Sequence, residues 1–110
     1  MGMFNMNATQ TVTKAETAFA SATATLAAVA DVAYQIVGFS GSSSGHAINV
    51  GLEIDDVVVW EDDESGHSIN VTWGEDGIIT ESDQKVEVVT TLIPFTVGYG
   101  NANLLYRIVR

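Results

Sequence analysis

Between Ala47 and Ile54 the large apolar side chains fall on every second residue, and this alternation restricts the chain to β structure. Ile48, Val50, Leu52 and Ile54 alternate with Ala47, Asn49, Gly51 and Glu53, the period of a strand whose two faces meet different surroundings. Asp55-Asp56 interrupts the pattern, and Val57 to Trp60 resume it with β-branched and aromatic residues, so the two runs read as a hairpin around an Asp-rich turn. After the acidic run Glu61-Asp62-Asp63-Glu64, the word Ser44-Gly45-His46-x-Ile48-Asn49-Val50 recurs as Ser65-Gly66-His67-x-Ile69-Asn70-Val71. Two copies are too few for a solenoid; they suit two strands that enter a sheet through the same kind of Ser-Gly turn.

The flanking segments extend this reading. Residues 1–15 read as an extended N-terminal arm ahead of a single β-sandwich domain over residues 16–110. Met3, Phe4, Met6 and Val12 are the apolar residues of the arm that would dock on a partner. Residues 14–30 admit two readings, a strand from about Ala20 to Val29 or a short helix from Lys14 to Ala24, because alanine favours helix while the Thr alternation favours strand. Tyr34 to Phe39 form a strand covered on both faces, with Val37 and Phe39 opposed to Tyr34 and Ile36. Ser40 to Gly45 read as a flexible polar loop. Lys85 to Ile93 form a further strand ended by Pro94, and Leu104 to Val109 form the last. About eight short strands with turns at this spacing describe an all-β, antiparallel, jelly-roll-like sandwich.

Composition narrows the possible partners. The 110 residues carry 4 Lys and Arg against 14 Asp and Glu, a net charge of −10, so contact with nucleic acid or anionic membrane is disfavoured. Hydrophobic residues make up 46% and mean hydropathy is +0.21, high for so small a monomer, which implies that a partner covers some apolar surface. Cysteine is absent, which removes disulfides and thiolate metal sites. The start, Met1 to Asn5, lacks a secretory signal and no window reaches membrane length, so the expectation is a soluble product of the host cytoplasm.

No residue pattern marks catalysis. Asp55-Asp56 and Glu61 to Glu64 lack the ligand order of a calcium loop and read as solvated loops. His46 and His67 would need a third ligand to hold zinc and read as polar residues at strand starts. Gly41 to Gly45 lack the spacing of a nucleophile elbow, and Gly98-Tyr99-Gly100 lacks the Lys of a phosphate loop. Trp60, Trp73, Tyr99 and Tyr106 would serve either as core or as a sugar-stacking platform, with core the expectation for the two tryptophans on β-patterned runs. No metal or other cofactor is expected.

Taken together, Ala22 to Val29, Tyr34 to Ser40 and Ile48 to Leu52 before an Asp-led turn and Val57 to Val59 resemble the small jelly-roll decoration or cement proteins of tailed bacteriophages. The likeness spans residues 20 to 110 and lies in strand order and turn placement; where such chains often carry Asp-Gly at the hairpin, this one has Asp55-Asp56. The resemblance implies a non-enzymatic virion structural protein on the outer capsid surface, a symmetric oligomer such as a homotrimer that bridges major capsid protein subunits. The alternative from another class is a receptor- or carbohydrate-binding tip module.

Overall fold

Asp55 and Asp56 both adopt positive φ, 52° and 67°. This is the conformation of a two-residue hairpin turn whose twist matches the strands on either side. In the computed structural model, which describes residues 10–16, 21–93 and 98–109, this turn is the tip of a long folded ribbon. Its strands are β1 (Gln10–Glu16), β2 (Ser21–Leu26), β3 (Tyr34–Ser43), β4 (Ala47–Ile54), β5 (Val57–Glu64), β6 (Ser68–Thr72), β7 (Val86–Ile93) and β8 (Gly100–Ile108). Each strand of the first half pairs antiparallel with its counterpart in the second: β4 with β5, β3 with β6, β2 with β7 and β1 with β8. The ribbon then rolls up, so that β8 also meets β3 and β7 also meets β4. The result is two four-stranded sheets, β1-β8-β3-β6 and β2-β7-β4-β5, the winding of a jelly-roll sandwich.

The alternation seen in the sequence fills the space between the sheets. Ala22, Ala24 and Leu26 of β2, Ile48, Val50 and Leu52 of β4, Val86, Val88 and Leu92 of β7, and Ala102, Leu104 and Tyr106 of β8 are buried there. Each contributes every second residue of its strand, as two packed sheets require. Strand β3 departs from that rule. Its register against β8 shifts between Ile36 and Gly38, so Val37 is an extra residue and Tyr34, Ile36 and Phe39 all reach the same core. The strict alternation expected for Tyr34 to Phe39, with Val37 and Phe39 on one face, is therefore corrected by a bulge. The bulge also changes β3's second neighbour. Before it, Ile36 N–H donates to the Ile78 carbonyl (2.8 Å) and Thr80 N–H to the Tyr34 carbonyl (2.8 Å); beyond it, β6 takes over from Gly38.

Three other expectations change. Strand β3 continues through Ser43, because Ser40–Ser43 pair with β8 and Ser40–Ser42 also with β6; pairing on both sides outweighs the poor β propensity of Gly and Ser. Glu61–Glu64 lie within β5 rather than in a loop. Gln10–Ala15, read as part of the arm, pair with β8 as an outer strand, while residues 1–9 lie outside the described residues. Of the ambiguous segment, residues 14–16 lie in β1 and Ser21–Leu26 form β2, so the strand expected to reach Val29 ends at Leu26 and residues 27–30 lead out of it as coil and turn. Among the described residues no helix is long and apolar enough to cross a membrane.

Candidate functional site

The repeated Ser-Gly-His words bring two turns to one end of the sandwich. His46 and His67 each stand immediately before a strand, β4 and β6, as expected for polar residues at strand starts. Those strands belong to different sheets, and the matching words adopt different turns: the positive φ falls on Gly45 (103°) in the first and on His67 (110°) in the second. Ser43 N–H donates to the His67 carbonyl (2.8 Å), and the His67 Nδ1 lies 3.3 Å from the His46 carbonyl oxygen. The Ser43 hydroxyl closes the first turn, accepting from His46 N–H (2.9 Å) and donating to the His46 carbonyl (2.5 Å). Tyr99, exposed, joins the same end by a reciprocal pair with Ser44: Ser44 N–H donates to the Tyr99 carbonyl, and Tyr99 N–H to the Ser44 hydroxyl, each at 3.0 Å. These contacts fix the loops through hydrogen bonds that each have a main-chain group as a partner. They do not converge side chains on a ligand.

At the opposite end, carboxylates gather around a cation. Glu53 of β4 stands directly across from Glu87 of β7, and with Asp56 their oxygens lie within 4.8 Å of one another. Like charges paired in this way repel. Lys85 supplies the compensation, its Nζ lying 2.7 Å from Asp56 and 3.5 Å from Glu87. The hydrogen bond to Asp56 raises the Lys85 pKa, with the charges of Asp56 and Glu87 adding to it and desolvation opposing it. Sequence reasoning missed this cluster, since Glu53, Asp56 and Glu87 become neighbours only when β4 and β7 pair.

The aromatic residues divide between core and surface. Trp60 and Trp73 pack edge-on against Phe39, with ring centroids 4.9 and 5.3 Å away, and Tyr106 packs edge-on against Tyr34 at 5.6 Å. The two tryptophans are thus occupied in holding the β5 and β6 side of the sandwich together. Comparison with protein-family models gives no match, and comparison with curated proteins gives no significant one.

Two surfaces stand open among the described residues. The outer face of the β8-β3-β6 layer carries a groove of about 290 Å³ lined by Gly38, Ser40, Asn70, Thr72, Asn103 and Leu105 among others. Register aligns Ser40 with both Asn70 and Asn103, so hydroxyl and amide side chains cross three strands in one row without a charge. The second surface is β5, exposed along nearly all its length. Of the arm residues proposed to bind a partner, Val12 pairs with Leu104 in β1, and Met3, Phe4 and Met6 fall outside the described residues.

Proposed function

We propose that this chain is a non-enzymatic structural subunit of a phage virion, a decoration or cement protein that sits on the capsid as a symmetric oligomer, a homotrimer, and bridges neighbouring capsid proteins. The observation that carries the reading is the jelly-roll winding of the eight strands between Gln10 and Ile108, an architecture used for capsid and lectin modules. An acidic surface that avoids packaged DNA and apolar residues left on the outside are consistent with that placement.

The test is the assembly state in solution with and without capsid shells. Symmetric oligomers that attach to shells support the reading, and a monomer that ignores shells ends it. Removing residues 1–9, which spares β1, should abolish attachment and leave the sandwich folded; unchanged attachment would take the arm out of the account.

A second reading, a carbohydrate-binding module, is favoured by the uncharged groove over Ser40, Asn70 and Asn103. It would not use Trp60 and Trp73, which pack on Phe39. Glycan binding lost on Asn70→Ala and Asn103→Ala would support it.

A further inference from the structure

Strand β5 stands last in its sheet and pairs with β4 alone among the described residues. Half of its main-chain N–H and C=O groups therefore face outward, a template for another strand. The side chains along this edge are ordered by type. Val57, Val58 and Val59 are 62%, 50% and 44% exposed, and Glu61, Asp62, Asp63 and Glu64 follow, all exposed. Natural edges are commonly blunted by charge or by a bulge. The acids have that effect on the second half of β5, and the register shift, which leaves Val59 as an extra residue, kinks the first half, yet all three valines stay in water.

We propose that the free edge of β5 receives an extended segment of another protein, antiparallel to β5, whose first residues are Lys or Arg and whose later residues are β-branched. Main-chain bonds to the edge would supply affinity, and cross-strand pairs would supply selectivity. In this direction the basic residues lie against Glu61–Glu64 and the β-branched residues against Val57–Val59. Among the described residues three of these acids have amide partners and none has a cation: Asp62 accepts from Asp63 N–H (2.9 Å), Asp63 from the Asn49 side chain (2.7 Å) and Glu64 from Gly66 N–H (3.1 Å). Their negative charge is left to attract a basic strand.

A second copy of this chain fits the edge poorly. A two-fold β5–β5 pair centred between Trp60 and Glu61 sets Val57 against Glu64 and Val58 against Asp63, which gives the acids no cation and joins two chains of charge −10.

The experiment uses the isolated full chain, so its outcome is separate from whether the protein rides on a capsid. A synthetic peptide as long as β5, Lys and Arg followed by Val and Thr, is titrated into isotopically labelled protein. The β5 amides should shift and gain protection from exchange, and binding should weaken as salt rises. The doubly substituted Asp62→Lys, Asp63→Lys chain should bind about tenfold more weakly or worse, with its circular dichroism unchanged. Glu75→Lys, on an exposed acid outside β5, should bind as the parent does. The proposal is overturned by no binding, by equal binding to the Asp62→Lys, Asp63→Lys chain, by equal binding of the reversed peptide, or by β5 protection that grows with protein concentration alone.

Discussion

Asp55 and Lys85 hold each other twice: Asp55 N–H donates to the Lys85 carbonyl at 2.8 Å, and the Asp55 carboxylate accepts from Lys85 N–H at 3.1 Å. The pair ties the β4–β5 turn to the start of β7, so the turn is braced by a strand that follows it by 30 positions. Both turn residues have positive φ, which Asp tolerates better than most residues.

Asp55→Ala should therefore destabilise the fold by about 1–2 kcal/mol, by removing an acceptor and placing Ala in the left-handed region. Asp55→Asn, which keeps an acceptor and tolerates that backbone, should cost much less. Urea denaturation of the two variants measures the difference.

High pH should weaken the fold through two groups. The Lys85 pKa is raised chiefly by its hydrogen bond to Asp56, and the Tyr34 pKa is raised first by burial and then by Tyr106. In each case the folded state holds its proton more tightly than the unfolded chain, so the contribution is complete below the unfolded pKa, near 10 for both residue types. It is lost as pH climbs through the raised folded values. Tyr34→Phe and Lys85→Met should each flatten the fall in denaturation midpoint above about pH 10. A spectrophotometric titration comparing the parent with Tyr34→Phe should assign to Tyr34 an ionisation above the ordinary tyrosine range. A midpoint that falls equally steeply in both variants would contradict the assignment.

Thr90 is a polar residue at the centre of the core. It is fully buried in β7 and its hydroxyl has no hydrogen-bond partner among the described residues. Thr90→Val should stabilise the protein by about 1 kcal/mol, because a methyl replaces an unpaired buried hydroxyl. Across the sandwich, a Cβ on Gly41 would collide with the Thr90 hydroxyl and with Val50. Gly41→Ala should cost about 1–3 kcal/mol. Thermal melts of both variants test the pair.

Gly77 crosses β3 so closely that a Cβ would fall on the Ile36 carbonyl, which is backbone and has little room to yield. Gly77→Ala should pull residues 78–80 away from β3. Loss of exchange protection at Ile36 and Thr80, whose N–H groups donate to the Ile78 and Tyr34 carbonyls, would report it.

Phe39 lies between Trp60 and Trp73, so Phe39→Ala should remove a core ring and two aromatic contacts together. The expected loss is about 3–5 kcal/mol, much of the stability of a small domain. Red-shifted tryptophan fluorescence would accompany it as both indoles meet water.

Local pattern determined the strand content here. The alternation at Ile48 to Ile54, the Asp55-Asp56 turn and the apolar positions of β7 are properties of neighbouring residues, and a period of two survives in almost any antiparallel partner. Features that depend on which strand lies beside which were not legible. Val37 becomes a bulge only because β3 changes its partner from residues 78–80 to β6. Ser40–Ser43 become strand only because β8 and β6 flank them, and Glu61–Glu64 look like a solvated loop until β4 supplies their ladder. The same holds for sites: Glu53, Asp56, Lys85 and Glu87 are brought together by the β4–β7 register, and the Ser40, Asn70 and Asn103 row by three strands drawn from distant parts of the chain. The sequence by itself determined that alternating side chains would close into two layers, because burying them requires nothing else. The rolling of the ribbon decided which edge stayed open, because only pairing between strands far apart in the chain leaves β5 with a single neighbour among the described residues.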